Sequence, residues 1–192
     1  MKRPTAVVPY DPAWPRLFAE ERARLQAALA PWLVAGVHHI GSTAVPGLAA
    51  KPIIDMIAGV LDLEGSRAAF GVLEALGYEY REHRPEAHLF VHARQGVHLT
   101  EPGTDLWRER FAFRDALRGE PELARAYAEW KLCHLADDPA LDPCTADKRA
   151  FVKPVLQRVG LTLKPDHGRL SPAALRARQR SARQRSVPSP RR

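Results

Sequence analysis

The part of this chain richest in residues that could do chemistry is 40–57, IGSTAVPGLAAKPIIDMI. A short strand-like segment over 37–40, Val-His-His-Ile, ends in Gly41-Ser42-Thr43, a loop containing Val45-Pro46-Gly47 follows, and a strand-like run over 51–60 starts at Lys51 with Asp55 in its middle. Glycine lets the backbone approach a ligand closely, and Ser42 and Thr43 offer hydroxyls and amides that suit phosphate oxygens. Lys51 adds a point charge for the same group. Asp55, on the neighbouring strand, could hold a magnesium ion bridging to that phosphate. A plain turn beside an edge-strand carboxylate paired to a nearby base fits the same residues, and spacing alone leaves both readings open. The loop is not of the Walker A type, since its glycine-to-lysine spacing differs and no Ser or Thr follows Lys51.

Three histidines belong to the same region. His38 and His39 immediately precede the loop, and His98 lies in the strand-like segment 96–101, GVHLTE. In a regular strand His98 and Thr100 share a face, while Glu101 points to the other. On a strand adjacent to that of Asp55, His98 would touch the ligand or act as an acid/base; otherwise it is a hydrogen-bonded sheet histidine. Further along, Arg114, Lys131 and Lys148 fall on successive predicted helices, where basic side chains could meet phosphates at the opening of a cleft. A solvated surface or an ion-pair network tying the helices together is the alternative. Trp107, Phe111, Phe113, Tyr127 and Trp130 read as helix-packing residues. No His/Cys set has the spacing of a structural zinc site, and Cys133 and Cys144 read as reduced thiols.

The elements that must position these residues follow from periodicity. Phe18, Leu25, Ala28, Leu29 and Trp32 predict an amphipathic helix over 16–33, which Pro31 ends early. Strands over 37–40 and 51–60 come next. A helix capped by Ser66, with apolar Ala69, Val72, Leu73 and Leu76, stops at Gly77. Strand-like pieces at 78–82, 88–93 and 96–101 follow, the last two joined by a hairpin at Arg94-Gln95. Helices are predicted over 105–118, 121–135 and 145–159, with Pro154 expected to kink or shorten the last. The order α–β–β–α–β–β–β followed by three helices suits an α+β domain: a mixed sheet covered by helices, with a C-terminal helical part against one side.

Charge divides the 192 residues into two parts. The whole chain carries +7, but 165–192 holds eight arginines and one acid, Asp166, and so accounts for all of it. The expected organisation is therefore a neutral domain over 1–164 and a basic, disordered tail over 165–192. Such a tail attracts phosphates in a salt-dependent, sequence-independent way, and it has no interleaved aromatics for base stacking, so specific nucleic-acid recognition is not expected from it. No apolar run reaches the length of about 18 residues that a membrane span needs. The N-terminus also lacks the apolar stretch of a signal peptide, so the expectation is a cytoplasmic protein.

Four blocks carry a family resemblance: VVPYDPAWPRLFAEE at 7–21, HIGSTAVPGLAAKPIIDM at 39–56, FRDALR at 113–118 and TADKRAF at 145–151. Together they resemble the GrpB family of bacterial proteins. The resemblance implies the nucleotidyltransferase fold of the DNA polymerase beta superfamily. In active members a Gly-Ser at the end of the first strand binds the β- and γ-phosphates of a nucleoside triphosphate, which matches Gly41-Ser42. Two acids two residues apart follow on the next strand; Asp55 matches the first, but Ile57 stands at the second. A third acid comes from a later strand, and Glu101 is its candidate here. Two-metal phosphoryl transfer needs enough carboxylate charge to hold two ions about 4 Å apart, so Asp55 and Glu101 alone imply one weakly held Mg2+. The resemblance thus supports two readings: an enzyme moving a nucleotidyl group to an acceptor, or a module that binds a nucleotide or CoA-type ligand without chemistry, its metal site having decayed at Ile57.

Overall fold

The computed structural model describes residues 4, 6–135 and 146–162. Asp11 Oδ1 accepts from Ala13 N at 2.8 Å just ahead of helix α1, Trp14–Leu29, which has a proline in its first turn and ends before Pro31. Strand β1, Leu33–Ile40, is longer than the predicted 37–40 because Gly36, at φ +71°, breaks the alternation with a register shift and hides its first half. After the loop, β2 runs over Ile54–Val60 and leaves Lys51 outside the strand.

Two local expectations need correction. Ser66 is not a helix cap: it is buried inside a 3-10 turn, Gly65–Ala69, with its hydroxyl donating to Leu63 O at 2.7 Å, and the short helix α2, Phe70–Ala75, follows. The hairpin between β4, His88–His92, and β5, Gln95–Thr100, turns at Ala93-Arg94 rather than Arg94-Gln95. Register fixes this, because His92 pairs with Gln95, and Ala93 takes φ +40° to close the two-residue turn. The short strand β3, Glu79–Arg81, precedes β4.

Helix α3, Asp105–Gly119, is capped by Thr104, whose side chain accepts from Trp107 N. Helices α4, Pro121–Leu135, and α5, Ala146–Arg158, complete the described chain. Pro154 lies inside α5 and does not shorten it. Cys133 is an exposed free thiol, while Cys144 and the basic tail over 165–192 lie outside the described residues.

The five strands form one sheet in the order β1-β2-β5-β4-β3, in which β2 and β5 are parallel and every other pair is antiparallel. The fold is α+β, as expected: a mixed sheet covered by helices, with a C-terminal helical part. Side chains alternate across the sheet and give its two faces different jobs. Met56, Ala58, Val60, Val97 and Leu99 point to one face, where Leu25 and Leu29 of α1 and Leu73 of α2 close the main core. On that side the buried carboxylate of Glu21 accepts from Tyr78 Oη at 2.9 Å and from Arg24 at 2.8 Å, which pins α1 across the sheet. Burial and that carboxylate both push the Tyr78 phenol well up from its ordinary range.

The other face carries His38, Asp55, Ile57, Gly59, His98 and Thr100, and α3 lies over it. Contact is close at Gly59: a Cβ there would stand 2.6 Å from Ala35 Cβ and 3.1 Å from the Trp107 ring. A second apolar cluster, Val45, Leu48, Leu117 and Tyr127 with Phe113, Trp130 and Phe151, joins the loop to α3, α4 and α5. The aromatic residues of the helical half are thus packing groups, as expected.

Candidate functional site

The candidate site is built where three strand ends meet. β1 finishes at Ile40, opposite Asp55, and Asp55 in turn lies beside Gly96 at the start of parallel β5. Gly41 then takes φ +73°, ψ −171°, a conformation essentially reserved for glycine, and opens a 3-10 turn, Ser42–Ala44. Its backbone is pressed against the acid: a Cβ on Gly41 would sit 3.0 Å from Asp55 Oδ2. Gly41, Ser42, Lys51 and Asp55 are all partly exposed at this mouth.

Thr43 does not share that role. It is buried, its hydroxyl donates to Ile53 O at 2.9 Å, and it accepts from His39 Nε2 at 3.0 Å, so it ties the loop shut rather than facing a phosphate. That bond places the imidazole proton on Nε2 of a neutral His39. Burial, then the charges of Arg118 and Arg114, push His39 down to about 4. The group is therefore neutral in the folded chain and protonated in the unfolded one between pH 6.5 and about 4, and acid must weaken the fold across that window. Stability is expected to fall by about 1.4 kcal/mol per pH unit there from this residue alone. Urea unfolding of wild type and His39→Gln at pH 6.5 and about pH 5 checks it; the variant keeps a donor and should lose about 2 kcal/mol less on acidification.

Helix α3 holds the loop from outside. Trp107, Phe111, Arg114 and Arg118 form one stripe at helical spacing. His38 packs edge-on against the rings of Trp107 and Phe111 and bonds Ala35 O through Nε2, which makes it a structural histidine. Arg114 donates to His39 O at 3.0 Å and to both oxygens of Asp115, and Arg118 donates to Ala44 O at 2.8 Å. From α4, Lys131 Nζ donates to Ala49 O. Ala50 pairs with Val8 of the N-terminal arm through two backbone hydrogen bonds of 2.9 and 3.0 Å. Of the two readings of Arg114 and Lys131, phosphate contacts at a cleft opening or bonds that tie elements together, the structure shows the second: Arg114 spends its donors on Asp115 and His39 O, and Lys131 donates to Ala49 O. Lys148 is half-buried on α5.

Glu101 is placed elsewhere. It follows Thr100, five residues beyond the Gly96 that pairs with Asp55, which puts it about 16 Å along the sheet from that acid. Its carboxylate accepts from Leu63 N at 3.0 Å and fixes the turn after β2. No single ion can be shared by Asp55 and Glu101. The nearest β5 side chain on the face of Asp55 is His98, which pairs with the fully buried Ile57. Among the described residues no group of three His, Cys, Asp or Glu side chains could hold a metal.

Sequence reasoning missed a polar cluster on this same face. The 82–87 connection lies over it: the His83 ring is 5.0 Å from that of His98, Thr100 Oγ1 donates to Glu86 O at 2.6 Å, and Arg84 donates to buried Glu109 of α3 at 2.9 Å. Arg110, next on the helix, is within electrostatic range of Asp55, Arg84 and Glu109. Its signal was in the sequence: Leu106, Arg110, Phe113 and Leu117 keep core-facing spacing, with a cation at one apolar position.

With this geometry established, comparison with known proteins decides the family. The model described as GrpB protein matches residues 4–158. The chain belongs to the GrpB family. The crystal structure of the conserved protein GrpB from Enterococcus faecalis is similar at 30% identity and a TM-score of 0.73, covering 81% of this chain and 99% of that one. UPF0157 proteins from Bacillus subtilis (YqkA) and Pseudomonas aeruginosa are 34% and 40% identical over 144 and 137 residues, covering 72% and 65% of this chain. This GrpB-family chain spans only 42% and 54% of the lengths of those two relatives. No helix among its described residues is long and apolar enough to cross a membrane.

Proposed function

We propose that this GrpB-family domain binds a phosphate-bearing small molecule of the nucleotide class at the mouth formed by Gly41, Ser42, Lys51 and Asp55. One observation carries the reading: Gly41 is held in a glycine-only conformation directly against the Asp55 carboxylate. A fold that keeps backbone so close to a partly exposed acid has reserved that space for something other than a side chain. The surrounding clamps, Thr43 inside and Arg114, Arg118, Lys131 and Val8 outside, fix the loop before any ligand arrives. Such pre-organisation lowers the entropic cost of binding.

Metal-dependent transfer of a nucleotidyl group fits less well. The face offers Asp55, then apolar Ile57 and His98, where a two-ion centre needs several carboxylates. This donor set does not fit that centre. A single Mg2+ would have Asp55 as its one protein carboxylate and would depend on ligand phosphates for the rest of its shell.

A thermal-shift screen of ATP, GTP, CTP, UTP and CoA, with and without Mg2+, tests the reading by mass action. Wild type is expected to be stabilised by at least one of them, Asp55→Ala to lose that shift, and Glu101→Gln to keep it. A flat response of wild type to all five ligands, or loss in Glu101→Gln but not in Asp55→Ala, overturns it.

A further inference from the structure

One charged group on the sheet face opposite α1 is left unanswered by the architecture. Arg110 occupies a core-facing position of α3, between Leu106 and Phe113, over the face that carries Asp55. Its Nε is buried and has no hydrogen-bond partner, and among the described residues it forms no ion pair. Neighbouring Glu109 does not supply one, since its Oε2 accepts from Arg84 while its buried Oε1 has no partner. Arg84 is itself committed, to Glu109 at 2.9 Å and Glu86 at 3.5 Å. Burial first, and the Arg84 charge second, work against the Arg110 cation, while Asp55, Glu109 and Tyr127 favour it from a distance.

A partly buried guanidinium whose Nε–H is buried without a partner is costly for a fold to keep. Arginine offers five N–H groups in a rigid fork that matches two oxygens of a phosphate. Every other arginine of this site spends that fork on the protein: Arg84 on carboxylates, Arg114 on Asp115 and a carbonyl, Arg118 on a carbonyl. We propose that Arg110 is the anion anchor of the cleft, giving its fork to a phosphate group of the ligand on the sheet face beside Asp55. The choice of phosphate rests on the nucleotide-class reading above; the presence of an anchor rests on Arg110 itself. Arg84 then supplies charge to the pocket without touching the ligand, and Glu109 holds Arg84 in place.

The test uses the full chain as wild type, Arg110→Gln and Arg110→Lys, with inorganic pyrophosphate, ATP and CoA titrated at constant ionic strength. Pyrophosphate is expected to stabilise wild type, and its Kd to weaken about tenfold or more in Arg110→Gln, the equivalent of losing one charge-assisted hydrogen bond. Arg110→Lys should recover only part, because an ammonium keeps the charge and loses the fork. Ligand-free Arg110→Gln should melt no lower than wild type, since it removes a charge whose buried Nε has no partner. A purely structural arginine would do the opposite, with a lower melting temperature and unchanged affinity, and that result overturns the proposal. Nucleotides binding wild type and Arg110→Gln equally would also overturn it while leaving the nucleotide reading intact. Pyrophosphate bound through Arg110, with ATP and CoA inert, would support the anchor and remove the nucleotide class. A wild type that no anion stabilises removes both.

Discussion

Alanine at Gly41 is expected to destabilise the protein by about 3 kcal/mol or more and to abolish phosphate-induced stabilisation. Two effects act together. The φ +73°, ψ −171° backbone excludes a side chain, which alone costs about 1–3 kcal/mol. The new methyl would also stand 3.0 Å from Asp55 Oδ2 and 3.2 Å from its Cβ, so either the acid or the loop must move. The loop cannot easily give, because Arg114, Arg118, Lys131 and Thr43 hold it at successive points. Gly47 is the internal control. It too has positive φ, +76°, but a Cβ there meets nothing within 4 Å, so Gly47→Ala should cost only about 1–2 kcal/mol and leave binding intact. Urea midpoints and ligand-dependent melting shifts of the two variants separate strain from site damage. Equal losses in both would mean that the contact with Asp55 contributes nothing.

The second large effect belongs to Gly59, far from the loop. Its missing side chain lets α3 settle on the sheet, with Ala35 on the neighbouring strand and the Trp107 ring above. A methyl at 2.6 Å from Ala35 Cβ has no rotamer to escape into, since neither atom can swing away. Either β1 shifts at its Gly36 bulge or Trp107 lifts, and overpacking of this kind costs about 1–3 kcal/mol before the helix is disturbed. Gly59→Ala is expected to lower stability by about 3 kcal/mol and to red-shift or broaden Trp fluorescence, with Gly59→Ala/Ala35→Gly restoring most of the loss. No rescue by the second change would place the clash on Trp107 instead.

Much of this could be read in the sequence because most elements are locally determined. The apolar run of 51–60, the apolar spacing of α1 and the Pro102-Gly103 break mark where these elements lie. Gly41-Ser42 against Asp55 was legible for the same reason, a strand–turn–strand unit within sixteen residues. The failures were register and destination. Nothing local says that β5 runs parallel to β2, and that single fact sends Glu101 to the wrong end of the sheet and puts His98 beside Ile57. Arg114 and Lys131 looked like cleft cations because charge on a helix is visible while its carbonyl partner, some 75 to 82 residues away, is not. Arg110 was passed over for the converse reason: it sits among apolar positions, where a lone cation looks like noise.

The parallel pairing of β2 with β5 also bears on how the domain comes together. β1 with β2, and β3 with β4 and β5, can each form through short-range antiparallel contacts, whereas Ile54 must find Gln95 across forty-one positions of chain. Closing that long loop delays the central seam relative to the two flanking pieces. Asp55 therefore comes from one early unit and His98 from the other, and the face they share exists only once the seam has closed. In a hydrogen-exchange experiment a ligand seated there would act as a cross-seam staple, slowing the joint opening of the two units while leaving fraying at the outer edge of β3 unchanged.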